Sequence, residues 1–312
     1  MSIQDAMQGV IANVERAVIG KGSAVELAIV GLLCEGHLLI EDVPGTGKTT
    51  LAKALARSLD CSFQRIQFTP DLLPSDVTGI YYFNQKTQEF QFRPGPVFSQ
   101  IVLADEINRA TPRTQAALLE AMQERQVSLD VDTIALPRPF LVMATQNPIE
   151  LEGTFPLPEA QVDRFLMKIR LDYPSEMDEN AILMRYRQDD PLEAMQPVIS
   201  SATLLQMQEQ VRTVKVEQSV REYLVRVVRG TREHPAVQLG ASPRGSLALY
   251  RAAQALAATR GRDFVIPDDV KYLAPAVLTH RIIIRPQVRL RGRTPAEVIA
   301  EVVESVAVPV EG

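Results

Sequence analysis

Long apolar runs are absent from this chain of 312 residues. No stretch approaches the ~20 apolar residues that cross a bilayer, which argues against a membrane-spanning helix. The opening residues, Met1-Ser2-Ile3-Gln4-Asp5, lack the basic-then-apolar layout of an export signal, so a cytoplasmic protein is expected. Cysteine is scarce: Cys34 and Cys61 are the only two, neither has metal-type spacing around it, and both read as small buried residues of a reducing compartment. Positive charge is in deficit as well. With 33 basic and 38 acidic residues the net charge is −5, so no global field draws the chain to nucleic acid or to an anionic membrane. Internal repeats and low-complexity tracts are missing. Hydrophobic content of 46% and charged content of 23% are those of an ordinary globular protein, and the length suits one large α/β domain plus a smaller one.

What is present begins with EDVPGTGKTTL, from Glu41 to Leu51. His37-Leu38-Leu39-Ile40 before it has the length of a buried strand, and Thr50 to Ala56 after it has helical apolar spacing. Gly45 and Gly47 permit backbone torsions that other residues resist, so successive N–H groups can turn inward around phosphate oxygens at a helix N-terminus. Pro44, Gly45, Thr46, Gly47, Lys48, Thr49 and Thr50 are therefore the candidate phosphate-binding residues. Lys48 is expected to reach the β and γ phosphates of a nucleoside triphosphate, and the Thr49 hydroxyl to bind Mg²⁺. The pattern G-x-x-x-x-G-K-[ST] would place Gly where Asp42 stands; Gly45 can carry the turn instead.

Ile101-Val102-Leu103-Ala104-Asp105-Glu106 reads as a buried strand ending in two acids, at the carboxyl end where parallel α/β sheets bind ligands. Asp105 is the candidate metal-holding residue and Glu106 the candidate base that polarises an attacking water. Phe140 to Ala144 is another apolar strand, leading into Thr145-Gln146-Asn147, and the Asn147 amide could hold that water or the γ-phosphate; Asn147-Pro148 also suits a turn. Three arginines stand out. Arg164 lies between a short helix and the last strand, where its planar fork could project at a neighbouring subunit's γ-phosphate. Arg244 sits at a helix start, with Ser242 as N-cap and Pro243 at the first helical position. Arg109 follows the acidic pair and could organise the site or a subunit boundary.

Short β-type runs at 63–68, 101–104, 140–144 and 165–171 join the one at 37–40, interleaved with helical or loop segments. Five such strands imply a parallel sheet with helices on both faces. After Tyr173-Pro174-Ser175 the texture turns helical, over 176–188, 201–212, 217–233, 243–260 and 295–306. A nucleotide-binding α/β domain over 1–190 and a helical domain over 191–312 are expected. Gly79 to Pro96 reads as a β-hairpin carrying five of the 17 aromatic residues, and Gln126 to Leu136 as a second. Arg281, Arg285, Arg289, Arg291 and Arg293 read as a basic stripe on a solvated face or an inter-subunit contact.

These motifs in this order resemble the AAA+ ATPases, and within them the MoxR family. The resemblance rests on VIGK at 18–21, EDVPGTGKTTLAKALA at 41–56, LADEINRATPRTQAALLEAMQE at 103–124, MATQNPIELEGTFPLPEAQVDRF at 143–165 and GASPRGSLAL at 240–249. It implies a P-loop NTPase fold with a C-terminal helical lid. Lys48 and Thr49 match the Walker A pair, Asp105 and Glu106 the Walker B pair, and Asn147 sensor 1. Arg164 matches the arginine finger and Arg244 the sensor 2 arginine, acting in cis or on a neighbour's nucleotide. Val18, Ile19 and Gly20 match the segment beside adenine, and both hairpins the insertions aimed at a ring centre. The family implies ATP and Mg²⁺, a homo-oligomeric and usually hexameric ring, a client protein and often a partner with a von Willebrand factor A domain. A P-loop kinase, a nucleic-acid motor and a nucleotide-gated scaffold with little turnover remain as alternatives.

Overall fold

The computed structural model describes residues 2–129, 132–147, 153–187 and 190–309. Asp130 and Val131 at the tip of the second expected hairpin, Pro148 to Glu152 of the string quoted above, and Gln188 at the end of the expected 176–188 helix lie outside the described residues. The strands in chain order are β1 (Leu38–Glu41), β2 (Phe63–Gln67), β3 (Gly79–Asn84), β4 (Glu89–Pro94), β5 (Ile101–Asp105), β6 (Gln126–Ser128), β7 (Thr133–Ala135), β8 (Leu141–Gln146), β9 (Met167–Ile169), β10 (Val237–Leu239) and β11 (Ile283–Ile284). Five of them form the expected parallel sheet, in the order β2-β5-β8-β1-β9.

Central position explains composition. All five residues of β5 are buried, as are five of the six in β8, because a parallel strand covered on both faces has no polar side. At the edge, β2 buries Ile66 but exposes Gln64, Arg65 and Gln67. Alternate residues of β1, β5 and β8 feed two hydrophobic clusters. Leu38, Ile40, Ile101, Leu103 and Met143 join one; Leu39, Val102, Ala104, Val142 and Ala144 join the other, as the two-residue period of a strand requires. The strand expected over 165–171 is confined to β9.

The helices are α1 (Ile3–Glu15), α2 (Gly22–Leu33), α3 (Lys48–Ser58), α4 (Pro74–Thr78), α5 (Pro112–Glu124), α6 (Glu159–Val162), α7 (Glu176–Arg185), α8 (Ser201–Val211), α9 (Gln218–Glu233), α10 (Pro243–Thr259), α11 (Pro267–Leu278), α12 (Pro286–Leu290) and α13 (Pro295–Ser305). In α9 the buried residues Val220, Tyr223, Leu224, Val227, Val228 and Thr231 make one stripe, the signature of a helix lying on a core. Neither α5 nor α11 was among the expected helices. Pro275 interrupts the pattern inside α11, and the helix is secured at its start, where the Asp269 carboxylate accepts from Ile266 N at 3.0 Å and from both ends of the Arg262 fork at 2.8 and 2.6 Å. The first hydrophobic cluster runs without a break from α1, α2 and α3 into α8 to α11 and α13, so the helical C-terminal region is seated on one face of the sheet domain.

Both hairpins form. β3 pairs with β4, setting Tyr81 opposite Phe92 and Phe83 opposite Phe90, each ring pair 5.4 Å between centroids, and β6 pairs with β7. The Tyr81 hydroxyl donates to the Asp132 carboxylate at 2.7 Å, tying the first hairpin to the second. The expected C-terminal basic stripe requires correction. Arg281 is buried in a 3₁₀ turn, Thr279–Arg281, and leaves only the later arginines on a surface.

Candidate active site

The loop after β1 is built as its glycines foretold. Gly45 and Gly47 hold φ of +85° and +94°, and a methyl group added to either would meet nothing within 4 Å, so the backbone faces open space where a phosphate can approach. Lys48 is the first residue of α3. Its Nζ donates to the backbone oxygens of Val43 at 2.5 Å and Asp42 at 3.3 Å, which folds the ammonium over the loop. Burial lowers its pKa, while the negative charges of Asp42, Asp105 and Glu106 pull it back up. The residue that departs from the sequence pattern has its own task. Asp42 is buried, and its carboxylate accepts from Val43 N at 2.8 Å and from Leu171 N at 3.0 Å, bracing the loop against the chain leaving β9.

A cleft of about 400 Å³ lies over this loop. Lys48, Thr49, Asp105, Glu106 and Asn147 line it together, so five residues chosen from three separate motifs converge on one place. Asp105 ends β5, and Glu106 follows it at φ +57°, a left-handed conformation that a non-glycine residue adopts at a cost. Thr145 secures this strained pair: its hydroxyl donates to Asp105 Oδ1 at 2.7 Å and accepts from Glu106 N at 2.8 Å. Two residues of edge strand β2 complete the arrangement. Arg65 donates to Asp105 Oδ2 from Nε at 3.0 Å and from Nη2 at 2.6 Å, and Gln67 Nε2 donates to Glu106 Oε2 at 2.8 Å. Arg109 Nε stands 3.2 Å from the same Glu106 oxygen. Sequence reasoning missed Arg65, Gln67 and Thr145 as site residues; only the pairing of β2 with β5, which sets Gln67 opposite Asp105, brings the first two within reach. The Thr49 hydroxyl and the Asp105 carboxylate are hard oxygen donors on one wall, of the kind Mg²⁺ takes beside phosphate and water.

Beside the loop a second cavity of about 350 Å³ is lined by Val18, Ile19, Thr46, Pro174, Ile182 and Tyr186, among others. Flat apolar walls adjoining a phosphate loop suit a purine base. Gly20, at φ +73°, packs so closely on the Asp178 carboxyl group that a Cβ would lie 2.4 Å from it. Lys21, also unassigned from sequence, is buried and donates to the Asp172 backbone oxygen at 3.0 Å, holding the Pro174 wall in place.

Arg164 and Arg244 occur together, but elsewhere. They line a cavity of about 310 Å³ with Arg125, Arg251 and Arg281. Arg125 is paired with Glu35 at 3.0 Å and Arg281 with Asp163 at 2.9 Å; Arg164, Arg244 and Arg251 make no ion pair among the described residues. Gly36 and His37, which precede β1, and Leu166, which precedes β9, also line this cavity. It therefore opens at the amino ends of the parallel strands, whereas the phosphate loop leaves β1 at its carboxyl end. No residue lines both.

Residues 37–167 match the model of the ATPase family associated with various cellular activities, and residues 229–309 match that of the AAA lid domain. Chaperone MoxR1 of Mycobacterium tuberculosis is 45% identical over 97% of this chain and 82% of its own, and protein MoxR of Methylorubrum extorquens 31% identical over 95% and 93%. The chain belongs to the MoxR family of AAA+ ATPases. Another relative in sequence, the uncharacterized protein YeaC of Bacillus subtilis, is 51% identical over 96% of this chain and 94% of its own. A crystal structure of a candidate ATPase from Cytophaga hutchinsonii superposes with a TM-score of 0.92 at 38% identity, covering 99% of this chain and 96% of that one. The MoxR assignment agrees with the five-stranded sheet and the helical lid, and a nucleotide-binding site is what the AAA family model implies for the cleft over Lys48.

Proposed function

We propose that this MoxR-type protein hydrolyses ATP as a ring, hexameric by the family resemblance, in which each cleft is completed by arginines of the next copy, and that turnover remodels a client protein. The observation that carries the reading is the separation of the two cavities across the sheet. Even the four residues of β1 span about 13 Å at ~3.3 Å per residue, so Arg164 lies too far from its own phosphate loop to touch a γ-phosphate bound there, yet it lines an arginine-rich cavity fitted to an anion from outside. Within the cleft, the loop amides and Lys48 bind the phosphates, Asn147 holds the lytic water, and Glu106, oriented by Gln67 and Arg109, takes its proton. Thr49 and Asp105 would hold Mg²⁺, which when bound neutralises charge on the phosphate oxygens. The adenine would rest against Val18, Ile19 and Gly20.

Residues 1–190 and 191–312 are taken as the nucleotide-binding and lid units. The name of the MoxR1 relative supports a chaperone-like outcome, and the exposed Ile80, Tyr82, Phe83 and Phe90 of the first hairpin offer an apolar surface for a client. A von Willebrand factor A domain partner and a cytoplasmic site belong to the same proposal. No helix among the described residues is long and apolar enough to cross a membrane.

The test is ATP loss by purified protein with Mg²⁺ and no phosphate acceptor, beside Glu106→Gln. The wild type should turn over, while the variant binds ATP with unchanged affinity and loses roughly 10²–10⁴-fold in rate. A Glu106→Gln protein as active as the wild type would overturn the assignment.

A further inference from the structure

The side chain of Arg281 is only 3% exposed, an unusual burial for a guanidinium; Nη1 also meets the Val277 carbonyl and His280 Nε2 beside it, and its remaining contacts converge on the segment around Arg164. Its terminal nitrogens donate to the backbone oxygens of Asp163 at 3.3 Å, Phe165 at 2.6 Å and Leu166 at 3.1 Å. These three carbonyls flank Arg164 on both sides. Its Nε stands 2.9 Å from Asp163 Oδ1 in an ion pair whose angle falls short of a hydrogen bond. The other oxygen of Asp163 accepts from Ser242 Oγ at 3.1 Å, and Ser242 caps α10, the helix that begins with Pro243 and Arg244. The stem of Arg281 closes on the same helix: a methyl group on Gly245 would sit 3.3 Å from its Cδ. A cation buried this completely needs its charge and donors matched, and here the residues on either side of Arg164 supply the counter-charge and three of the carbonyls that do so.

We propose that Arg281, Asp163 and Ser242 form a bracket that locks Arg164 and Arg244 into one unit, so that both arginines meet the same neighbouring triphosphate together. The inference rests on the reading of those two arginines as acting on the next copy. Arg281 and Ser242 belong to the lid and Asp163 to the sheet domain, so lid movement that shifts Arg244 must also shift Arg164. The three bracket residues are positioning residues; none of them touches nucleotide.

The experiment compares Ser242→Thr, Ser242→Asp, Asp163→Asn and Arg281→Lys in the assembled full-length protein, reading kcat, KM for ATP, nucleotide affinity and thermal melting. Ser242→Thr keeps both the cap and the donor and should retain wild-type kcat. Ser242→Asp keeps the cap but sets a carboxylate against Asp163, and should lower kcat roughly 10–100-fold, the loss expected when a reacting group is misplaced by about 1 Å. Nucleotide affinity should stay within about twofold. Asp163→Asn and Arg281→Lys should behave like Ser242→Asp, and in an Arg164→Ala, Arg244→Ala background, where the bracket has neither arginine left to place, none of the three should reduce the residual rate further. Wild-type kcat in a folded Ser242→Asp protein, or losses that multiply with the Arg164→Ala, Arg244→Ala double variant, would overturn the bracket. Should Arg281→Lys fail to fold, the Ser242 pair decides alone. An Arg164→Ala protein that hydrolyses ATP normally would instead overturn the trans-acting reading, which separates the two failures.

Discussion

The carboxyl ends of the parallel strands carry two acids, a lysine and a loop of open amides; the amino ends carry five arginines around a cavity of similar size. On the proposed reading the first set binds phosphate and activates water, and the second supplies positive charge. Each would then be half of a phosphoryl-transfer site, and the sheet keeps the two cavities of one molecule apart. A chain built this way would need a second copy to finish its chemistry, and hydrolysis would then report on assembly.

The strongest way to break that comparison is to disable one half in each of two chains. Arg164→Ala should lose roughly 10³–10⁵-fold in turnover, the usual worth of an arginine completing such a site, while binding ATP within a few-fold of the wild type. Glu106→Gln should be equally dead for the opposite reason. Mixing the two before assembly should restore measurable activity, because some interfaces then join an intact Glu106 to an intact Arg164. No recovery from a mixture shown to co-assemble would mean that both residues serve the same copy's nucleotide.

A second test sharpens the difference through pH. His37 forms part of the wall of the arginine cavity, and no histidine lines the phosphate cleft. Val142 N donates to His37 Nδ1 at 3.0 Å, so its Nε2 is the protonated nitrogen facing the Met122 carbonyl at 2.9 Å. Burial pushes its pKa down from 6.5 to about 4, with the Met122 bond opposing. Between those values the unfolded chain binds a proton that the fold refuses, so stability is present above pH 6.5 and is lost as pH falls toward 4. The displacement is worth about 3 kcal/mol by linkage. Urea melts across this window should show the loss, and His37→Gln, which keeps a donor for Met122, should flatten it in part, the buried His280 supplying a loss of the same sign. An unchanged slope in the variant would remove His37 from the account.

The two halves also differ in how far the sequence alone revealed them. EDVPGTGKTTL is legible because its glycine turn and the start of α3 are set by near neighbours, Asp42 with its bond from Leu171 being the exception, and the apolar strands leading into Asp105 and Asn147 announce their own carboxyl ends. The first hairpin was legible from aromatic alternation on either side of a polar turn. The arginine cavity draws instead on residues 34–37, 122–125, 163–166, 244–251 and 281, and nothing local marks such a set. Arg281 illustrates the limit. It heads a series of arginines running to Arg293, which suggests a surface stripe, whereas Asp163, Phe165 and Leu166, which hold most of its donors, lie more than 100 positions earlier in the chain. Arg65 and Gln67 escaped notice for a related reason: their alternation shows that they share a face of β2, but only the sheet order shows that β5 and its acids lie beside them.

Arg65 supplies the smallest and most discriminating test, because it sets a positive charge on the acid-bearing half. Its guanidinium occupies Asp105 Oδ2, so any cation that uses that oxygen competes with it. The Arg65 side chain is 47% exposed, and an ion pair so open to water is worth only about 0–1 kcal/mol. Arg65→Ala should therefore lower the Mg²⁺ concentration that half-saturates ATP binding by roughly two- to fivefold, with the affinity at saturating Mg²⁺ unchanged. Titrating Mg²⁺ against a fluorescent ATP analogue in the Glu106→Gln background reads binding without turnover. If Arg65 instead served the phosphates, as Arg164 is proposed to do from the other half, its removal would weaken nucleotide binding at every Mg²⁺ concentration. The contrast between an acidic half and an arginine half would then have to admit an arginine on both sides.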